Sequence, residues 1–298
     1  MAEWREHFSR HAPQLDICGS DDVHAKDAEY ALVWAPKTGI LARLPALKLI
    51  ISAAAGVDHI LADTLRPAHV PIVRMVPEET TITMAEYVLT AAMLILRDIK
   101  PVMQAQARHQ WLPYPAVRSI AETRVGIMGM GHMGSATARL LARTGFRVAG
   151  WSNRHCDIVD VQSYAGADQL APFLAATNLL VCLLPVTQAT RGILNAHTLA
   201  QLPAGASLIN VGRGAHLIDA DLFAALDSGH LHRAVLDVFD KEPLDAASAL
   251  WDHPAIVITP HCASTPTRAD RARHAAMLIS RHQQGDALPD IYDPVRGY

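Results

Sequence analysis

The stretch Arg124-Val-Gly-Ile-Met-Gly129-Met-Gly131-His-Met-Gly134 carries three glycines at G-x-G-x-x-G spacing directly after an apolar run. The run Arg124 to Met128 predicts a strand, and the pattern from Ser135 to Thr144 predicts a helix. In such a unit the first glycine permits a tight turn, the second lets the backbone approach a pyrophosphate, and the third allows close helix–strand packing. The helix N-terminus adds amide donors for phosphate oxygens. The motif therefore predicts a dinucleotide site at Gly129, Gly131 and Gly134.

Short apolar runs alternate with helical patterns on both sides of this motif. The runs upstream are Tyr30–Trp34, Leu47–Ile51 and Val70–Val73. Those downstream are Arg147–Trp151, Leu179–Leu184, Ser207–Val211, Arg233–Asp237 and Ile256–Thr259. Alternation of strands and helices favours parallel sheets. With Arg124–Met128, the downstream runs predict an α/β doubly wound (Rossmann) sheet of six strands, and the upstream runs predict a smaller flavodoxin-like α/β domain.

Two helical patterns suggest how the domains connect. Apolar residues recur at helical spacing from Thr83 to about Lys100, with Pro101 just beyond, which suits a long connector helix. The loop Trp111–Pro115 is rich in aromatics and prolines, as in a hinge or rim. The last helical pattern, Arg268–Gln284, is expected to return to the first domain. The predicted boundaries are 1–97 plus 268–298 for a substrate domain and 98–267 for the inserted dinucleotide domain.

Composition narrows the function classes. The chain has 298 residues and a formal charge of −3, with its Lys and Arg scattered, which argues against binding nucleic acid or a membrane surface. The N-terminus is charged and resembles no secretory signal. The four cysteines show no CxxC pairing, which fits a reducing cytoplasm, and the sixteen histidines form no HExxH motif, so no metal site is predicted.

The end of the second downstream strand bears on the choice of dinucleotide. NAD sites usually place an acidic residue there for the ribose 2′-hydroxyl, whereas NADP sites need donors and cations for a 2′-phosphate. This chain reads Trp151-Ser152-Asn153-Arg154, with no acid until Asp157. Arg154 can pair bidentately with phosphate, although it could also be a solvated loop residue. The sequence favours NADP(H), with NAD(H) as the alternative.

Three later segments carry the residue types that reduction of a 2-oxo acid requires. Asn210-Val-Gly-Arg213-Gly214 places an arginine in a glycine-flanked turn, where its planar fork could bind a carboxylate. The segment Ala234–Pro243 carries Asp237 and Glu242, and Thr259-Pro-His261 places a histidine directly after a strand. Doubly wound folds gather their sites at the carboxyl ends of strands. Singly, each residue could instead be structural: a surface ion pair, a turn cap or a core histidine.

In this order, the motifs resemble those of the D-isomer-specific 2-hydroxyacid dehydrogenases. That family carries the dinucleotide fingerprint followed by N-x-x-R-G, L-D-V-F-x-x-E-P and P-H segments, matched here by Asn210–Gly214, Leu236–Pro243 and Pro260–His261. The Leu184-Pro-Val-Thr187 turn and the Ala55-Gly-Val-Asp58 loop are also similar. The resemblance narrows to the members that reduce glyoxylate and hydroxypyruvate, on the features Tyr30–Trp34, Trp151-Ser152 with the nearby Arg154, Ala224–Gly229 and the terminal Arg296–Tyr298. The resemblance covers essentially the whole chain.

The resemblance implies roles for individual residues. Arg213 would bind the substrate carboxylate and polarise the carbonyl, His261 would be the general acid, and Glu242 would bind its other ring nitrogen and favour the protonated ring. Asp237 would hold the nicotinamide carboxamide. Substrate contacts would come from Trp34, which could equally be core packing, and from the backbone amides of Ala55, Gly56 and Val57. Further cofactor contacts would come from His132, Met133, Ser152, Asn153, Arg154, Leu184, Pro185, Val211 and Gly212.

Several alternatives stay open at this point. The fingerprint also resembles that of β-hydroxyacid dehydrogenases, but those place it at the extreme N-terminus, whereas about 120 residues precede Gly129 here. A nicotinamide-sensing regulator on the same fold could keep Arg213, Glu242 and His261. Oxidation of formate or phosphite, and reduction of pyruvate or phenylpyruvate, are further possibilities within the architecture. The resemblance also implies a homodimer.

Overall fold

The computed structural model describes residues 1–113 and 118–298, which form two compact units. The first unit contains Met1–Glu79 and Pro266–Tyr298, and the second contains Thr80–Thr265. The functional boundary at residues 97 and 98 stays a prediction. Of the loop interpreted as a hinge or rim, Tyr114 and Pro115 lie outside the described residues.

Helices and strands alternate along most of the chain. The helices are α1 (Ala2–His11), α2 (Asp58–Leu61), α3 (Glu78–Leu96), α4 (Ile99–Ala107), α5 (His132–Arg143), α6 (Leu170–Ala175), α7 (Ala196–Ala200), α8 (Asp219–Asp227) and α9 (Arg268–Gln284). The strands are β1 (Tyr30–Val33), β2 (Leu49–Ser52), β3 (Ile72–Val73), β4 (Arg124–Met128), β5 (Arg147–Ser152), β6 (Val161–Ala165), β7 (Leu179–Cys182), β8 (Ala206–Asn210), β9 (Leu231–Leu236) and β10 (Ile256–Ile258).

The first unit is built on a parallel sheet that has three strands, in the order β1-β2-β3, within the described ranges. The central strand β2 is buried along its whole length. Helices α1 and α9 cover it, because Phe8 and the buried small residues of α9 pack with Leu49 and Ile51 in one cluster. The prediction of a buried strand over Tyr30–Trp34 is only partly right. The strand lies at the sheet edge, is mostly half-buried and ends at Val33, which leaves Trp34 exposed.

The second unit contains a parallel sheet whose seven strands, counted over the described residues, run β10-β9-β8-β7-β4-β5-β6. The strand order reverses between β4 and β7, as in a doubly wound dinucleotide-binding sheet. The expected number of six strands was one too low. The missed strand, β6, lies at the edge and is half-buried, and polar Gln162 and Ser163 interrupt its apolar pattern.

The helix predicted over Thr83–Lys100 is in fact two helices. The first ends at Leu96, and Asp98 turns the chain through the left-handed region with φ 46°. Asp98 is buried, and its carboxylate accepts two hydrogen bonds from Arg233, the shorter at 2.7 Å. Pro101 therefore lies in the first turn of α4 instead of beyond a helix end. A proline is tolerated there because its missing N–H has no partner within the helix.

Helix α3 is long and apolar enough to cross a membrane by length and composition alone. Its buried residues, among them Met84, Val88 and Ile95, pack with Val125 and Ile127 of β4 in one hydrophobic cluster. These contacts are those of a core helix that covers the sheet of the second unit.

Candidate active site

The three glycines of the fingerprint differ in what surrounds them. Gly129 has φ 99°, and a Cβ there would lie 2.7 Å from the carbonyl oxygen of Leu183. A Cβ at Gly134 would lie 1.9 Å from the carbonyl oxygen of Gly129, so only glycine allows the helix to pack this closely on the turn. A Cβ at Gly131 would meet no described atom within 4 Å. The turn thus has no space for a side chain at Gly129 or Gly134 but is open at Gly131, which fits the close approach of a pyrophosphate there.

The other predicted cofactor residues follow the carboxyl ends of neighbouring parallel strands. Exposed His132 and half-buried Met133 begin α5 after β4, Leu184 and Pro185 follow β7, and Val211 and Gly212 follow β8. Parallel strands end at one edge of a sheet, and the strand order reverses between β4 and β7. This edge is the position at which doubly wound folds bind their ligands.

Strand β5 ends in a compact turn that presents Asn153 and Arg154. The hydroxyl of Ser152 donates a 2.6 Å hydrogen bond to the carbonyl oxygen of Arg154, and the side chains of Asn153 and Arg154 are exposed. Asp157, the nearest acidic residue beyond the strand, comes five positions after Ser152. Because the Ser152 proton is used in closing the turn, the donors left for a phosphate are the amide of Asn153 and the guanidinium of Arg154.

Arg213 lies three residues after β8, in a turn with several internal hydrogen bonds. The side chain of buried Asn210 accepts from the N–H of Gly212 at 3.2 Å and donates to the carbonyl of Arg213 at 3.1 Å. The N–H of Arg213 donates to Nδ1 of His216 at 3.0 Å. Its guanidinium Nη1 donates to the carbonyl of Gly212 at 2.8 Å. The backbone that carries the guanidinium is therefore fixed on both sides.

His261 and Glu242 form a hydrogen-bonded pair. Nδ1 of His261 lies 2.7 Å from Oε2 of Glu242, and both side chains are about one-third exposed. A carboxylate only accepts, so Nδ1 carries the proton in this bond and the acid–base position of the ring is Nε2. The other carboxylate oxygen of Glu242 accepts from the N–H of Phe239 at 2.9 Å. The two residues that the family resemblance pairs thus lie together in the structure.

Asp237 holds the turn that carries His261. It is buried, and its carboxylate accepts from the Thr259 hydroxyl at 2.6 Å and from the N–H groups of Cys262 and Ala263 at 2.9 Å each. Because the Thr259 proton goes to Asp237, Thr259 accepts from the Tyr87 hydroxyl at 2.5 Å. The structure thus gives Asp237 a positioning role that the sequence did not suggest. Its contact with a carboxamide stays a prediction.

The remaining predicted substrate residues belong to the first unit. Trp34 follows β1 and its indole stacks on the ring of His59, with centroids 4.7 Å apart. The loop Ala55–Val57 follows β2 and is held by Ser52, whose hydroxyl donates to the carbonyl of Gly56 at 2.7 Å. Since that proton is used, Ser52 accepts from the N–H of Ala54 at 3.2 Å and from His59 Nε2 at 3.4 Å.

Sequence reasoning missed several residues that support the predicted site. Ser52, His59, Thr259 and His216 belong to none of the recognised motifs, and their contacts arise only when separate segments come together. One signal was available for Thr259, since a hydroxyl at the end of the predicted strand Ile256–Thr259 and two residues before His261 could have been weighed as a buried hydrogen-bond donor.

Comparison with known proteins gives matches to a family model, to a curated relative and to solved structures. Residues 89–263 match the family model of the D-isomer specific 2-hydroxyacid dehydrogenase NAD binding domain. A curated relative, glyoxylate/hydroxypyruvate reductase A of Serratia proteamaculans, is 37% identical over 302 residues, which cover 99% of this chain and 96% of the relative. The chain belongs to the D-isomer-specific 2-hydroxyacid dehydrogenase family. Membership makes it an NAD(P)-dependent oxidoreductase with the Rossmann-type fold seen above.

Solved structures of family members agree with the fold. A D-isomer specific 2-hydroxyacid dehydrogenase from Xanthobacter autotrophicus, crystallised with NADPH and MES, is 40% identical with a TM-score of 0.92, covering 100% of this chain and 96% of the other. An NADPH-dependent glyoxylate/hydroxypyruvate reductase from Sinorhizobium meliloti, crystallised with NADP and sulfate, is 36% identical with a TM-score of 0.90, covering 100% and 97%. The alignments with these two members of the dehydrogenase family thus cover at least 96% of their chains.

Proposed function

We propose that this family member is an NADPH-preferring reductase that converts small 2-oxo acids, glyoxylate and hydroxypyruvate, into glycolate and D-glycerate. The observation that carries the proposal is the His261–Glu242 pair, with 2.7 Å between Nδ1 and Oε2, at the carboxyl-terminal edge of a doubly wound sheet. A histidine oriented by a carboxylate through one ring nitrogen can give a proton from the other.

Each protein group has a defined part in the proposed reduction. The guanidinium of Arg213 binds the substrate carboxylate and polarises the carbonyl, since its planar fork matches a carboxylate. When bound, the reduced nicotinamide supplies a hydride to the carbonyl carbon. Nε2 of His261 gives its proton to the carbonyl oxygen, so the product gains one C–H and one O–H bond. Glu242 accepts the hydrogen bond from Nδ1 and so orients the ring for the transfer.

Further substrate contacts are proposed in the first unit. The backbone amides of Ala55, Gly56 and Val57 bind the substrate carboxylate, and Trp34 contacts the substrate. Two features support these roles: the loop is held by Ser52, and the Trp34 indole stays about half exposed while stacked on His59. The names of the Serratia and Sinorhizobium relatives support glyoxylate and hydroxypyruvate as substrates.

The preference for NADPH rests on the turn after β5. Asn153 and Arg154, on a turn closed by the Ser152 hydroxyl, offer phosphate donors where an NAD site would place a carboxylate. The Sinorhizobium relative is described as NADPH-dependent and the Xanthobacter structure contains NADPH, which supports the same choice. NAD(H) is the weaker cofactor in this proposal.

One assay, run with each of the two nicotinamide cofactors, tests the proposed function. Loss of NADPH absorbance is followed with purified protein and a panel of glyoxylate, hydroxypyruvate, pyruvate and phenylpyruvate, and is repeated with NADH. Fast oxidation with the first two acids and slower oxidation with NADH is the expected result. Tight NADPH binding without turnover of any 2-oxo acid would contradict the proposal and favour a nicotinamide-sensing regulator.

We also propose that the protein acts as a homodimer in the cytoplasm. The family resemblance implies this oligomeric state, and the exposed side chains of Met103 and Trp111 are apolar surface that association of chains would cover. The cysteines, all of them in the described part of the chain, are free thiols, which fits a reducing compartment. Light scattering coupled to size exclusion tests the oligomeric state, and a mass of one chain would contradict it.

A further inference from the structure

His216 is a buried histidine that the proposed chemistry does not use. It lies at the end of a short turn, Gly214–His216, that directly follows Arg213, and its side chain is completely shielded from solvent. Histidine is polar at both ring nitrogens, and a buried polar group generally has hydrogen-bond partners. The partners of this ring therefore indicate its role.

Each ring nitrogen of His216 contacts the backbone of a different loop. Nδ1 lies 3.0 Å from the backbone nitrogen of Arg213, and Nε2 lies 3.2 Å from the carbonyl oxygen of Pro185. A backbone N–H can only donate and a carbonyl oxygen can only accept. Nδ1 must therefore be unprotonated and Nε2 protonated, so the two contacts together define a single neutral tautomer.

The two loops joined by this ring carry different proposed tasks. Pro185 follows β7 and belongs to the proposed cofactor contacts, whereas Arg213 follows β8 and is the proposed carboxylate binder. Their only covalent connection runs through 27 intervening residues, yet the ring links them directly. The Thr190 hydroxyl also donates to the Pro185 carbonyl at 2.7 Å, so this carbonyl has two donors.

The fit of the ring also explains the glycine at position 212. A Cβ at Gly212 would lie 3.0 Å from Nδ1 of His216 and 3.2 Å from the carbonyl oxygen of Leu184. A larger residue would therefore crowd the ring and the Leu184 carbonyl. Gly212 was predicted as a cofactor contact, and the structure adds that it makes room for His216.

We propose that His216 is a positioning residue that fixes the backbone of Arg213 through Nδ1 and the Pro185 loop through Nε2. The ring thereby fixes the position of Arg213, the proposed carboxylate binder, relative to the Pro185 loop, which is part of the proposed dinucleotide site. The inference rests on the proposed function, because it assigns Arg213 and Pro185 the roles given above. It adds a residue outside the recognised motifs, with two separable contacts.

Two substitutions separate the two contacts. In His216→Asn, the side-chain amide can present its oxygen near the position of Nδ1 but does not reach Pro185. In His216→Gln, the longer amide can donate near the position of Nε2 and no longer presents an acceptor to Arg213. We measure the Kd of NADPH by fluorescence titration without substrate, and kcat and KM for glyoxylate at saturating NADPH.

The two variants are expected to show opposite patterns. His216→Asn should raise the Kd of NADPH by about three- to tenfold and leave kcat/KM for glyoxylate within about twofold, as expected for one lost hydrogen bond. His216→Gln should keep the Kd of NADPH within about twofold and lower kcat/KM by about three- to tenfold. Equal effects on both quantities in both variants, or no effect in either, would overturn the proposal.

A control variant and an NMR measurement on the wild-type protein complete the test. Nε2 of His230 bonds the carbonyl of Leu199 at 3.0 Å in the same unit, so His230→Asn removes a similar contact and should change neither quantity. In the wild-type protein, ¹⁵N NMR at neutral pH should show His216 protonated at Nε2 alone, and any other state would overturn the proposal. If the wild-type protein binds NADPH but reduces no 2-oxo acid, the proposed function fails while the Kd comparison still tests the Pro185 contact.

Discussion

The backbone of His261 lies in the left-handed region, with φ 53°. A residue with a side chain pays about 1–2 kcal/mol for this conformation, so the surroundings must compensate. The N–H of His261 donates to the Asp237 carbonyl at 2.8 Å, and the two following N–H groups donate to the Asp237 carboxylate. These contacts turn the ring toward Glu242, so the unfavourable backbone serves to orient the proposed acid.

Replacing this ring tests its chemical role. His261→Ala is expected to lower kcat for glyoxylate by about a hundredfold or more, because no other group would give the proton in the transition state. The Kd of NADPH should stay near that of the wild-type protein. Cys262→Ala changes the exposed neighbour and serves as the control, with kcat expected within about twofold. Turnover near the wild-type value in His261→Ala would remove His261 from the mechanism.

Arg154 is expected to discriminate between the two nicotinamide cofactors. Arg154→Ala should weaken NADPH about tenfold or more, since a hydrogen bond between charged groups contributes about 1.5–3 kcal/mol, and should leave NADH nearly unchanged. Fluorescence titration of both cofactors measures the ratio. Arg147→Ala, an exposed arginine at the other end of the same strand, is the control. Equal losses for the two cofactors would contradict the assignment to the 2′-phosphate.

At the scale of elements, the fingerprint turn connects β4 to α5 through only Gly129, Met130 and Gly131. The buried residues of this helix are Gly134, Thr137, Ala138 and Leu141. Its first turn packs so closely on the Gly129 carbonyl that a Cβ at Gly134 would lie 1.9 Å from the carbonyl oxygen. Gly134 and Gly131 therefore have different roles: the first allows helix and turn to pack, and the second is proposed to leave room for the cofactor. Gly134 lies where helix and turn meet, whereas Gly131 is exposed with ordinary φ of −74°.

Two alanine substitutions should accordingly behave differently. Gly134→Ala is expected to lower the free energy of unfolding by about 1–3 kcal/mol, because its Cβ forces the helix away from the turn. Gly131→Ala should leave the Tm nearly unchanged yet weaken NADPH, because its Cβ would occupy space reserved for the pyrophosphate. Thermal unfolding and NADPH titration of both variants check this. An unchanged NADPH Kd in Gly131→Ala would be evidence against a pyrophosphate at this turn.

Local patterns predicted the elements well where burial was regular. The strand Arg124–Met128 and the helix Arg268–Gln284 have the predicted bounds. The break after Leu96 was missed because it depends on Asp98 pairing with Arg233, which is distant in sequence. The edge strand β6 was missed because one half-exposed face allows polar residues. Motifs indicated the residues of the site, whereas partners such as His216 and Thr259 are defined only by tertiary contacts.

At the scale of the whole molecule, two half-buried histidines, His232 and His274, make stability depend on pH. Burial and the nearby guanidinium groups of Arg233 and Arg118 lower the pKa of His232, while Asp98 acts in the opposite direction. Burial likewise lowers the pKa of His274. The unfolded chain then binds protons more readily than the folded chain. The contribution of these two histidines to the free energy of unfolding is therefore fully present above the unfolded pKa of 6.5. It is lost as the pH falls through that value.

The pH response gives a further prediction. Between about pH 7.5 and pH 5 the Tm of the wild-type protein should fall, and His232→Gln should reduce that fall in part, because His274 still contributes. Thermal unfolding across the range measures both slopes. His197→Asn, an exposed histidine on α7, should keep the wild-type slope. Identical slopes for His232→Gln and the wild-type protein would exclude a contribution from His232.

The turn after β5 has a consequence for how cofactor use can evolve. The Ser152 hydroxyl and the Arg154 carbonyl close this turn, so its shape does not depend on the side chains at positions 153 and 154. Both side chains are exposed, and surface substitutions usually change stability by at most about 0.5 kcal/mol. Substitutions at positions 153 and 154 alone are therefore expected to change the preference between NADP(H) and NAD(H) during evolution. No compensating changes in the core would be needed.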